Sequence, residues 1–97
     1  MFITSLTGHV APEDWTTLQQ AYSKLLRHPI PGVLQCLLIH SVEEQDVWKV
    51  LTIWKDHKSF HTAREHGDTE NFAQMFCEQG SVPEWRSFRV VEEYVRV

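Results

Sequence analysis

Two stretches of the chain, VLQCLLIH at 33–40 and VWKVLTIW at 47–54, carry apolar residues at odd and even positions alike. A β-strand points successive side chains to opposite sides, so a run of this kind is apolar on both faces and needs cover on both. In the first stretch Val33, Leu37 and Ile39 take one side, and Leu34, Cys36 and Leu38 the other. In the second, Trp48, Val50 and Trp54 oppose Val47, Leu51 and Ile53. The polar turn EEQD between the two predicts an antiparallel hairpin.

The flanking segments supply cover for one face. MFITSLTG reads as a strand ended by Gly8. APEDWTTLQQAYSKLLRH reads as a helix, with Pro12 at its first position and Glu13 and Asp14 at its positive end. Trp15, Leu18, Tyr22, Leu25 and Leu26 form its apolar stripe, and His28-Pro29 and Pro31-Gly32 close it. After the hairpin, Asp56 stands where an N-cap belongs before HKSFHTAREH, which Gly67 stops. Asp68 is placed to cap TENFAQMFCEQ, ended by Gly80, and after Pro83 the run EWRSFRVVEEYVRV alternates as a last strand. The order β-α-β-β-α-α-β predicts one α+β domain over 1–97: a ferredoxin-like split βαβ with a four-stranded antiparallel sheet and all helices on one side. The second sheet face then lacks cover, and a second copy packed face to face supplies it. The expectation is a homodimer through that face.

Composition narrows the partners. A formal net charge of −4 with no basic block speaks against nucleic acid or an anionic membrane surface. The N-terminal segment has no basic region before its apolar residues, so it does not read as a secretory signal, and no stretch reaches the roughly 20 apolar residues of a membrane span. The two cysteines, Cys36 and Cys77, match no metal or redox motif and read as free thiols of a reducing cytosol. Cys36, mid-strand beside leucines, reads as inert.

The segment PGVLQCLLIHS…VWKVLTIWKDHKSFHTARE resembles the antibiotic-biosynthesis-monooxygenase family of dimeric α+β barrels. The shared pattern is Pro31-Gly32, a strand, a short hairpin, and a strand ending in Trp54, with Asp56 and Phe60 beyond. The resemblance implies a pocket between sheet and helices with Trp54 in its wall, and a chemistry drawn from cofactor-free oxygenation of quinols and polyketides or from haem degradation. The Asn and Tyr that the cofactor-free aromatic oxygenase carries around its Trp are replaced by Val50 and Phe60. The haem-degrading branch needs an Asn on the first strand, which is absent here, and Ala63 and Ala73 stand near the places of its second Trp and its haem-ligating His.

Six histidines invite closer reading. His57 and His61 share a helix face with Glu65 one turn on, a spacing that grips a metal or simply faces solvent; without the His-Glu-x-x-His signature no metal is expected. His40 interrupts an apolar strand next to the turn, where a ring either acts as a base near neutral pH or bonds a backbone carbonyl. The leading expectation is a cofactor-independent monooxygenase for a small aromatic or quinol-type compound. Its candidate catalytic residues are His40 as base (His9 the alternative), Trp54, and Arg64 to steady the anion; His9, Phe60, Phe72 and Phe76 are expected to line the pocket. Phe72, Met75 and Phe76 also make a core-packing face. The second expectation is a dimeric module that binds a small hydrophobic molecule without turnover.

Overall fold

The structure, a computed structural model, describes residues 1–96 of the 97. Strands β1 (Phe2–His9), β2 (Val33–His40), β3 (Val47–Trp54) and β4 (Glu84–Arg89) form one antiparallel sheet in the order β2-β3-β1-β4. Helices α1 (Trp15–Leu25), α2 (His57–Glu65) and α3 (Asp68–Cys77) complete the predicted α+β order, with a single 3-10 turn at Pro12–Asp14 ahead of α1.

Local chemistry accounts for most boundaries. Pro12 opens the 3-10 turn, and the Trp15 indole N–H donates to the Val10 carbonyl at 2.9 Å, pinning the entry to α1. The Asp56 carboxylate accepts from the Ser59 amide at 2.7 Å and caps α2. That bond holds the Asp56 carboxyl below its ordinary range. Asp68 does not repeat the role: Gly67, at φ +80, occupies the N-cap position, and Asp68 is the first helical residue, making no capping bond. The last strand is shorter than its alternation suggests. Arg89 pairs with Phe2, where β1 begins, and the Val90 amide reaches the Met1 carbonyl at 3.4 Å. Beyond that rung no strand remains to pair with, so 91–96 lie exposed outside the sheet, and Val97 lies outside the described residues.

β3 alternates as expected: Trp48, Val50, Thr52 and Trp54 are buried under the helices, and the residues between them face the other way. β2 departs from its period. The ladder passes from Val33↔Trp54 directly to Gln35↔Ile53, leaving Leu34 as a bulge. The extra residue returns Val33 to the helical side with Cys36 and Leu38, and turns Leu34 out, 59% exposed. The expected facing of Val33 and Leu34 is thereby reversed.

Two clusters fill the layer between sheet and helices. The larger joins Leu6, Val50 and Trp48 from the sheet to Leu18 and Tyr22 of α1 and to Phe72, Met75 and Phe76 of α3. The smaller joins Trp54 to Phe60 and Ala63 of α2. On the opposite face Leu37, Ile39 and Phe88 remain 36%, 40% and 49% exposed in the single chain.

Candidate functional site

Cross-strand partners share a sheet face, so the register assigns rows beneath the helices. One row, Leu38–Val50–Leu6–Trp85, is wholly apolar, and another begins with Val33, Trp54 and Phe2. Between them runs Cys36–Thr52–Thr4–Ser87, a thiol and three hydroxyls in line across all four strands. Thr52 and Thr4 are 3% and 1% exposed, so this polar stripe crosses the interior. Buried hydroxyls need partners. The Trp54 indole N–H satisfies Thr4, donating to its Oγ1 at 3.0 Å. At the other end of the stripe the Cys36 thiol and the Thr52 hydroxyl meet at 3.5 Å, an ordinary hydrogen-bond distance for sulfur, and either can donate.

That end of the stripe is the floor of a cavity. A space of about 120 Å³ is bounded by Cys36, Thr52 and Val33 of the sheet, by Leu25, Leu26, His28, Pro29 and Ile30 from the end of α1 and the segment after it, and by Phe72 of α3. An adjoining recess of about 140 Å³ shares Leu25, His28, Ile30 and Phe72 and adds Asp68 and Asn71. His28, on the outside, borders both spaces. A larger groove of about 440 Å³ between α1 and α3 is edged by exposed polar residues such as Gln20, Lys24, Gln74 and Glu78, and it gathers no reactive group.

Behind the floor stands Tyr22. Its phenolic oxygen is buried and has no hydrogen-bond partner. Burial pushes its ionisation well above the ordinary value, and the neighbouring Cys36 thiol adds to the shift. The phenol therefore stays protonated near neutral pH, an unused donor beside a thiol. An unmet buried hydroxyl of this kind costs about 1–3 kcal/mol.

The candidate residues named from the sequence are dispersed. His40 lies flat on Trp48, ring centroids 4.0 Å apart at 8°, with the edge of Trp15 at 4.6 Å. Its Nε2–H donates to the Gln45 carbonyl at 2.6 Å. His40 pairs with Trp48 and Val33 with Trp54, so His40 and Trp54 stand at opposite ends of the hairpin, roughly 20 Å apart at 3.3 Å per residue. His9 is at the His40 end, its Nδ1 2.9 Å from Asp46 Oδ2. That imidazole holds the Asp46 carboxyl below its ordinary range. Trp54 packs edge-on against Phe60, centroids 5.4 Å apart. Arg64 lies over the other reach of the Phe60 ring, 5.4 Å from its centroid, and its Nη2 donates to His61 Nδ1 at 3.4 Å.

Phe72 is the one member of that set on the cavity wall; Phe76 lies in the main core and Phe60 in the Trp54 cluster. Of the possible metal ligands, His61 pairs with Glu65 at 3.0 Å and His57 stacks on Phe2 at 4.5 Å. Among the described residues no three of His, Cys, Asp and Glu gather closely enough to hold a metal ion. Sequence reasoning passed over His28, Tyr22, Cys36 and Thr52 as a group. One signal was present: Thr52 is the only polar residue at an inward position of β3.

No helix among the described residues is long and apolar enough to cross a membrane. No protein-family model matches the chain, and no curated protein sequence does. Solved structures do. A protein from Deinococcus radiodurans, provisionally named an antibiotic biosynthesis monooxygenase, superposes with a TM-score of 0.78 at 15% identity, covering 100% of this chain and 99% of that one. The haem degrader MhuD from Mycobacterium tuberculosis, with two haems bound in its active site, gives 0.75 at 15% identity over 98% of this chain and 100% of that one. A mutant of SnoaB, a cofactor-independent oxygenase from Streptomyces nogalater, gives 0.66 at 17% identity over 95% of each. At such identities the likeness speaks for architecture, and the chain has the antibiotic biosynthesis monooxygenase fold.

Proposed function

We propose that the chain binds a small aromatic or quinol-type molecule in the cavity between sheet and helices and oxidises it with O₂ without a cofactor. The supporting observation is the cavity itself: about 120 Å³, walled by Leu25, Ile30, Val33 and Phe72, with an imidazole at its mouth and a thiol and hydroxyl at its floor. A phenol held there and deprotonated is an electron-rich anion. It passes one electron to O₂, and the phenoxyl radical and superoxide combine to form a carbon–oxygen bond. Loss of water from the peroxide leaves a quinone, so one oxygen atom stays in the product and the other departs as water. The protein has to hold the ring, exclude bulk water and accept the proton.

In this reading His28 is the base, because its imidazole can accept a proton and borders the bound molecule. The His40 ring is committed to the Gln45 carbonyl and to Trp48, and Arg64 to Phe60. Trp54 acts at one remove, as a wall that holds Thr4 and the row beside Thr52. Haem does not fit: an apolar cavity of roughly 150 Å³ accommodates one benzene ring, and the tetrapyrrole is several times larger. Ala63, near one of the haem-branch positions, is packed against Trp54 and Phe60. The test is O₂ uptake by the purified protein with hydroquinones and naphthols. Uptake is expected with the single-ring compounds, and His28→Ala lowers its rate by about 10²-fold or more. No uptake across a broad panel overturns the oxygenase reading.

A second reading, a binding module without turnover, is favoured by Val50 and Phe60, which are 2% and 6% exposed and serve as packing. Ligand-dependent melting shifts without O₂ uptake would select it.

The partner in either reading is a second copy laid on the exposed face of Leu37, Ile39 and Phe88, a side of the sheet that also carries Leu51 and Ile53. Ile39→Asp is expected to convert a micromolar dimer to monomer in sedimentation without unfolding it. A wild-type chain that sediments as a monomer sinks the pairing.

A further inference from the structure

The cavity has two chemically different ends, and its size sets how much can lie between them. We infer that it takes a single-ring quinol or phenol, and that one ring oxygen seats on Cys36 and Thr52, closing a hydrogen-bond chain that begins at Tyr22. The inference rests on the cavity being the binding site and adds the class of ligand and its orientation.

Size comes first. The space is about 120 Å³, and a closed apolar cavity of roughly 150 Å³ holds one benzene ring. A fused bicyclic ring exceeds it; a single ring fits, and a short substituent extends past His28 into the recess of about 140 Å³ beside Asp68 and Asn71. Polarity gives the orientation. Tyr22 is 8% exposed, its hydroxyl has no partner, and it faces Cys36. Cys36 in turn meets Thr52 at 3.5 Å, where either can donate. Three groups able to donate thus stand in sequence, and bonding among themselves leaves one donor over. Their shared deficiency is an acceptor, and a phenolic or quinone oxygen supplies one. Thr4, next along the stripe, is already engaged by the Trp54 indole, so the open position is at the Cys36–Thr52 end. With one oxygen seated there, the ring lies among Val33, Ile30 and Phe72, and its other edge points to the His28 side.

Binding of three probes, p-cresol, toluene and 1-naphthol, to the intact protein tests this by calorimetry. Wild-type protein is expected to bind p-cresol about tenfold more tightly than toluene, the worth of one buried hydrogen bond. Tyr22→Phe and Thr52→Val, both close in shape to the residues they replace, are each expected to weaken p-cresol by about tenfold and leave toluene within about twofold. Equal losses for both probes would mean that these residues only pack, and would overturn the inference. So would 1-naphthol binding as tightly as p-cresol. Absence of p-cresol binding while naphthols are oxidised overturns it and leaves the oxygenase reading intact. Binding of p-cresol in the expected pattern, with no phenol consuming O₂, supports it and removes that reading.

Discussion

Trp54→Ala is expected to destabilise the fold by about 3–5 kcal/mol, the range for removing a large aromatic from a packed interior. Trp54 is 1% exposed and is the largest of the fully buried side chains. Three consequences follow from its removal. A void opens against Phe60 and Ala63; the Thr4 hydroxyl loses the indole donor; and Phe2, opposite in the ladder, loses its neighbour. A domain of this length has about 5–15 kcal/mol of stability in total, so the variant sits close to the limit of folding. At about 4–8 °C per kcal/mol, melting falls by at least 12 °C. Trp54→Phe separates the contributions: it keeps most of the packing and loses the N–H, leaving about 1–3 kcal/mol. Denaturant titration of both variants measures the difference. A loss below about 1 kcal/mol for the alanine variant would show that the indole supports neither the stripe nor the α2 contact.

Gly8→Ala is the second change with a large effect, and it acts by crowding. Gly8 lies on β1 opposite Trp48, facing the helices. A methyl group there would fall 2.3 Å from Phe76 Cδ1 and 2.8 Å from Cε1, far inside contact distance. Phe76 is fully buried, so its ring has no free space to turn into. Overpacking of this kind costs about 1–3 kcal/mol and more where the neighbours are rigid. The cause is checked by a double-mutant cycle. Phe76→Leu alone destabilises, but combined with Gly8→Ala it restores part of the loss, with a coupling of about 0.5–3 kcal/mol. Strict additivity of the two changes would show that the glycine serves the backbone and not the ring.

Gly32 is a glycine of another kind. Its φ of +87 is a conformation that side chains resist, and a Cβ would also strike Ser59 at 2.3 Å. The Pro31-Gly32 pair of the sequence resemblance therefore has a physical reason. It lets the chain turn into β2 while passing close beneath the first turn of α2, where Asp56 caps.

Much of the fold is legible along the chain. Alternation in VWKVLTIW assigns every residue of β3 to its side, because the strand has no irregularity and one face meets helices. Asp56, Pro12 and Gly67 mark helix ends because each acts through its own neighbours in the chain. The order of elements leads to helices on one side of the sheet because crossovers of this kind have one hand. Tertiary structure decided whatever depends on a partner far away in sequence. Leu34 becomes a bulge only through the pairing of β2 with β3, and a period of two cannot reveal which residue a ladder leaves out. β4 ends at Arg89 because β1 begins at Phe2, a limit written in the first residues of the chain and not in the last. His40 interrupts an apolar strand visibly, but whether its ring faces a cavity or lies flat on Trp48 is decided by packing against α1. The cavity belongs to this second class as well. Tyr22, His28, Cys36, Thr52 and Phe72 come from two helices, two strands and a connecting segment, and no spacing in the sequence unites them. They meet because closing the helices over the sheet leaves one place where the apolar layer is incomplete and the polar stripe beneath it is open.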